Sequence, residues 1–122
     1  MGKRILVVDD DDNVRESIRT LLKKEGYTIK TAKSTTDAWE TLSKWRADLI
    51  ILDILFPGEN IKEFVKKVDK RSASKILYLS VFAHSAAEDL GYIELSENVL
   101  GYIEKPFSIP NLLKKVKTAF AS

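Results

Sequence analysis

The sequence predicts an α/β protein: a five-stranded parallel sheet, doubly wound by helices into a three-layer (βα)5 architecture. Three observations carry this. Short aliphatic or β-branched runs alternate with segments of helical period, and the connections between them are short. The first and third runs, Ile5-Leu6-Val7-Val8 and Leu49-Ile50-Ile51-Leu52, are apolar at every position, as strands covered on both faces must be. Finally, 122 residues with 44% hydrophobic side chains suffice for one core and leave no room for a second, so residues 1–122 are expected to form a single domain.

The elements follow in order. After the first strand, Val14, Ile18, Leu21 and Leu22 mark one face of a helix that should stop at Gly26. Tyr27 to Ala32 alternates as a second strand. Ala38, Leu42 and Trp45 mark the second helix, with Ser34 as its N-cap and Asp37 as the reciprocal capping partner. The third strand precedes a helix carrying Ile61, Phe64, Val65 and Val68, and Lys75 to Val81 reads as the fourth strand. Residues 83–98 are expected to hold a short or broken fourth helix, because Gly91 interrupts a weak Ala86, Ala87, Leu90 pattern. Val99 to Ile103 is the fifth strand. The last helix begins after Ser108, tolerates Pro110 in its first turn and buries Leu112, Val116 and Phe120.

Composition removes several function classes. With no cysteine and one histidine, disulfide scaffolds, thiolate metal sites, cysteine nucleophiles and multi-histidine metal sites are excluded. The N-terminal apolar run is too short for a signal peptide, and no window reaches the ~18–20 apolar residues of a membrane span. Leu6 stands where N-myristoylation requires Ser or Thr. A cytoplasmic protein with no membrane insertion is expected. Net charge is only +2, from 20 Lys and Arg against 18 Asp and Glu, which is weak support for direct nucleic-acid binding.

In an open parallel sheet, functional residues collect where the strands end. The first strand ends in Asp9-Asp10, the third in Asp53, the fourth in Ser80 and the fifth in Lys105-Pro106. Three carboxylates, a hydroxyl and an ammonium therefore converge on one edge. Like charges a few ångströms apart disfavour one another's ionised form, and a hard divalent cation with oxygen ligands, Mg²⁺ or Mn²⁺, relieves the conflict. With two carboxylates on the ion, the third is available as a nucleophile toward phosphorus, while Ser80 and Lys105 clamp the phosphoryl oxygens.

The segments Ile5-Leu6-Val7-Val8-Asp9-Asp10, Leu52-Asp53-Ile54-Leu55-Phe56-Pro57-Gly58 and Gly101-Tyr102-Ile103-Glu104-Lys105-Pro106-Phe107 resemble the receiver domain of two-component response regulators, of the single-domain chemotaxis kind. The similarity runs from about Lys3 to Phe120. It implies a flavodoxin-like fold and a signalling phosphoprotein that takes a phosphoryl group from a sensor histidine kinase onto Asp53 as an aspartyl phosphate. By the same resemblance Asp9, Asp10, Asp53 and the backbone carbonyl of Leu55 hold Mg²⁺, Ser80 and Lys105 bind the phosphoryl group, and Lys105-Pro106 is a cis peptide. Ser80 and Tyr102 form the switch, which repacks the surface of the fourth helix, fifth strand and last helix toward a partner. Such a chain phosphorylates and dephosphorylates itself and is not a turnover enzyme. The chain ends at Ala121-Ser122 with no DNA-binding domain, so a stand-alone or excised receiver is expected.

The sequence departs from the family pattern at four places. Ile61 replaces the second glycine of the loop after Asp53, which changes the turn. Val81 stands where a small residue is usual and crowds the mouth of the site. Leu55 and Phe82, two residues beyond the acceptor and the hydroxyl, are apolar, which implies slow self-dephosphorylation. Ser96-Glu97-Asn98 replaces the usual Gly-Ala before the fifth strand. These departures motivate an alternative, a degenerate receiver that binds a protein partner without phosphorylation. A nucleotide binder of the same architecture is disfavoured because four aspartates after the first strand repel phosphate. An aspartate-nucleophile phosphatase would need a second acid where Leu55 stands.

Other features have ordinary readings. Asp11 and Asp12 start a helix, one of them as its cap. His84 is a loop or first-turn residue rather than a ligand, Trp39 and Trp45 are helix-two packing or partly exposed apolar surface rather than a ligand platform, and Lys62, Lys66, Lys67, Lys70 and Arg71 form a solvated helix face, with a docking role as the alternative. The charge is nonetheless segregated: His84 to Glu104 contains Glu88, Asp89, Glu94, Glu97 and Glu104 and no Lys or Arg, so this stretch is −5 and the rest +7. By the resemblance it belongs to the output surface, which points to a downstream partner with a basic docking patch met by Glu94, Glu97 and Glu104. Reversing Glu94 and Glu97 is expected to weaken that docking most at low salt.

Overall fold

A computed structural model of the chain describes residues 2–54, 61–71, 74–80 and 98–121. The elements are β1 (Arg4–Val8), α1 (Asp12–Lys24), β2 (Thr28–Ala32), α2 (Thr35–Leu42), β3 (Leu49–Asp53), α3 (Ile61–Arg71), β4 (Lys75–Ser80), β5 (Val99–Glu104) and α4 (Ile109–Ala121). All neighbouring strands are parallel, in the order β2-β1-β3-β4-β5. Strand order reverses between β1 and β3, the switch point of a doubly wound sheet.

The two faces of the central strands belong to two separate cores. Leu6, Val8, Ile50 and Leu52 point to one face and pack with Ala38 of α2 and Phe64, Val65 and Val68 of α3. Ile5, Val7, Leu49 and Ile51 point to the other and pack with Ile18 and Leu22 of α1 and Leu112 and Val116 of α4. Alternation of period two is therefore present in β1 and β3 but carries no polarity, because both faces are dry.

Local chemistry sets the element ends. Asp11 caps α1 by accepting from the amides of Asn13 at 2.8 Å and Val14 at 3.3 Å. Gly26, at φ 94°, turns the chain out of α1 in the left-handed region where glycine is unstrained. The Tyr27 amide bonds back to the Leu22 carbonyl, so the strand begins one residue later than the alternation implies, with the Thr28 amide on the Lys3 carbonyl. At α2 the Ser34 hydroxyl accepts the Asp37 amide as expected, whereas Asp37 Oδ2 reaches past the cap to the Lys33 amide.

Two expected placements need correction. Trp45 lies beyond α2, which stops at Leu42: the Ser43 hydroxyl bonds the Glu40 carbonyl and the Ser43 amide is shared between the Trp39 and Glu40 carbonyls, tightening the last turn. In α4 the buried position falls on Ala119, while Phe120 is half-exposed and stacks on Tyr27 with ring centres 5.4 Å apart. Val81 and the expected helix within 83–98 lie outside the described residues.

Candidate functional site

Parallel strands bring their carboxyl ends to one edge, and the acids sit there beside the switch point. Asp9 follows β1, its amide on the Ala32 carbonyl at 3.2 Å, and it is fully buried. One carboxylate oxygen accepts the Asp11 amide at 2.9 Å; the other lies 2.8 Å from Lys105 Nζ. Asp53 closes β3 and is 4% exposed, with Oδ2 3.4 Å from the same ammonium. Asp10, next to Asp9, is exposed. An oxygen from each of Asp9, Asp10 and Asp53 lies within 4.8 Å of the other two.

Lys105 reaches this cluster because β5 is anchored beside β4. The Lys105 amide donates to the Ser80 carbonyl at 2.6 Å, and the Lys105-Pro106 bond is cis, as the resemblance implies. Burial alone lowers the lysine's affinity for its proton. The hydrogen bond to Asp9 and the charges of Asp53 and Asp9 outweigh that effect and hold its pKa above the ordinary value of 10.5. Three carboxylates face one ammonium, so negative charge is left over in a largely buried pocket. That donor set fits a hard divalent cation with oxygen ligands and retained water.

Ser80 ends β4 and is buried, in register with Glu104, the exposed end of β5. Tyr102 is paired across the ladder with Tyr78, their ring centres 5.5 Å apart, and packs on the α2/α3 core. Thus Asp9, Asp10, Asp53 and Lys105 meet, and Ser80 stands on the same edge. Leu55, Phe82, His84, Glu94 and Glu97 lie outside the described residues.

Two neighbours escaped the reading of the sequence. Arg15, one turn into α1, donates to the Asp9 carbonyl at 2.7 Å and pairs with Asp12, fixing the loop that carries both acids. A cation placed i+3 from Asp12 was the available signal. Tyr78, beside Tyr102, is the other; standing two residues before Ser80 puts it on the same face of its strand.

These features define a doubly wound α/β protein with an acidic pocket at its switch point. Residues 5–117 match the family model for the response regulator receiver domain, and the chain belongs to that family. Among solved structures it is similar to the response regulator protein TrrA from Thermotoga maritima in complex with Mg²⁺-BeF, at 34% identity and a TM-score of 0.79 over 96% of this chain and 98% of that one. It also resembles the chemotaxis response regulator CheY4 of Vibrio cholerae, at 27% identity and a TM-score of 0.84 over 98% and 99%. A CheY-like receiver domain protein of Methanospirillum hungatei matches at 26% identity and a TM-score of 0.82 over 99% and 95%. A phosphoacceptor role and an acidic Mg²⁺ pocket are properties of this family. Among the described residues, no helix is long and apolar enough to cross a membrane.

Proposed function

We propose that residues 1–122 act as one receiver domain in which Asp53 accepts a phosphoryl group from a sensor histidine kinase in a Mg²⁺-dependent reaction. The observation that carries this is the meeting of Asp9, Asp10 and Asp53 oxygens within 4.8 Å, with Lys105 Nζ on Asp9 and Asp53. Asp9, Asp10, Asp53 and the Leu55 carbonyl would hold the ion, which when bound supplies charge neutralisation for phosphoryl oxygens.

An Asp53 oxygen attacks phosphorus, the bond from phosphorus to the donor's imidazole nitrogen breaks, and the imidazole departs with the electron pair to be protonated. Lys105 exchanges part of its interaction with Asp9 for the new phosphoryl oxygens, and the Ser80 hydroxyl donates to another. The added group brings about −1.5 to −2 of charge. Drawing Ser80 toward it frees space for Tyr102 to turn inward, which shifts the population between two packings of the surface formed by residues 83–98, β5 and α4. By the resemblance the acidic stretch with Glu94, Glu97 and Glu104 belongs to that surface, which favours a partner with a basic patch. A cytoplasmic setting accords with a kinase as donor.

Incubating the chain with Mg²⁺ and a small-molecule phosphodonor should add the mass of one phosphoryl group, lost in Asp53→Asn and on chelation. A chain that takes up no phosphoryl group from either a small donor or a histidine kinase would instead be the phosphorylation-independent binding module.

A further inference from the structure

At the amino ends of the strands, opposite the acids, a cleft of about 300 Å³ opens between the ends of α2 and α3. Its apolar lining comes from Trp39, Leu42, Trp45, Ala47 and Val68. Both tryptophans of the chain stand here, half-buried. The floor is fixed by the Ser74 hydroxyl, which donates to the Ala47 carbonyl at 2.7 Å between the starts of β3 and β4.

Cations surround this apolar centre on both flanks. The Arg71 guanidinium lies 4.8 Å from the Trp39 ring centre and Lys67 Nζ 5.8 Å from it; Lys30 Nζ and the Arg4 guanidinium lie 5.5 and 5.9 Å from the Trp45 ring. Lys44 and Arg46 stand exposed on the rim. Of these six, Lys67 pairs with Glu63 at 3.7 Å, whereas the other five form no ion pair with a carboxylate among the described residues. The volume is ample for one large apolar side chain. A small anion would meet only the rim. Positive charge spread along both indoles matches several carboxylates held in a row.

We propose that this cleft docks an acidic peptide segment of a partner protein, one large apolar side chain entering between Trp39 and Trp45 while flanking carboxylates meet Arg46, Lys44 and Arg71. An apolar anchor in a desolvated pocket supplies most of the affinity in such contacts, and the rim charges supply orientation and association rate. The site is independent of the phosphoacceptor pocket and does not rest on its assignment.

Because the only tryptophans line the cleft, their emission reports it directly. The full chain is titrated with a blocked synthetic peptide bearing one leucine between two pairs of glutamates. Two control peptides replace the leucine by alanine or the glutamates by glutamine, and 4-methylpentanoate serves as a small anion. Expected is a saturable emission change with the first peptide, weakened about tenfold between roughly 50 and 500 mM salt and likewise by R46E combined with R71E, with neither control nor the small acid reproducing it. Both arginines are exposed, and a thermal melt verifies that the variant is folded. Amide shift mapping on the unmodified chain should place the perturbed residues at 39–47 and 67–74. No saturable change, equal response to the glutamine or alanine peptide, equal response to the small acid, or shifts clustered elsewhere would overturn the proposal and leave Lys44, Arg46, Lys67 and Arg71 as complements to the ends of α2 and α3.

Discussion

The Lys105 ammonium lies 2.8 Å from Oδ2 of Asp9, a fully buried carboxylate 96 residues away in sequence. This pair joins the two ends of the fold across the switch point. It also means that, without a divalent cation, the charge of the acidic pocket is offset only in part, by the Lys105 ammonium, so lysine and metal compete for the same oxygens.

That competition predicts the effect of Lys105→Met. Removing one positive charge a few ångströms from the ion's ligands should tighten Mg²⁺ binding by about tenfold or more, since a unit charge pair about 4 Å apart is worth about 1 kcal/mol even at the dielectric of bulk water and the ion carries two charges. Isothermal calorimetry measures it, and weaker binding in the variant would contradict the account. Phosphoryl uptake should fall at the same time, since the variant loses its clamp on the transferred oxygens.

Metal-free stability should depend on alkaline pH through the same lysine. Its pKa is raised in the folded state, so the unfolded chain releases the proton first. The contribution is fully present below the ordinary value of 10.5 and is lost as pH rises through the higher folded value. Denaturant midpoints compared between the parent and Lys105→Met should converge across that window, while other lysines and tyrosines titrate equally in both.

Asp11→Ala should destabilise the chain by about 1 kcal/mol, because two amides at the start of α1 lose their acceptor. Asp12, exposed and paired with Arg15 within one turn, should be worth less. Urea unfolding of the two alanine variants gives the order.

Replacing Leu55 and Phe82 with polar residues should shorten the life of phosphorylated Asp53. Their apolar side chains in the parent offer nothing to orient an attacking water. Loss of the phosphoryl mass with time measures this, and an unchanged lifetime would remove the basis for slow self-dephosphorylation.

Much of the fold was legible because a buried parallel strand leaves a plain mark. Val8 and Leu52 complete runs with no polar residue, and the acids after them could only emerge at a strand end. The site was readable for the same reason: topology alone collects Asp9, Asp10, Asp53 and Lys105 on one edge. What escaped depends on side-chain reach and competing local bonds. Nothing in the helical period of Ala38 and Leu42 says that Ser43 will tighten the turn and leave Trp45 outside. Nor does sequence state that Arg15 turns toward the Asp9 carbonyl instead of solvent. The spacing that groups Phe120 with Leu112 and Val116 points it to the core, yet the small Ala119 takes the buried position.

Since all five strands run the same way, the sheet has two chemically distinct poles. At one, acids and Lys105 form the proposed phosphoryl pocket. At the other, indoles ringed by cations form the proposed docking cleft. The central strands β1, β3 and β4 between them are packed on both faces, so on the two proposals mutations that retune one pole need not disturb the other, and each is free to vary while the other stays fixed.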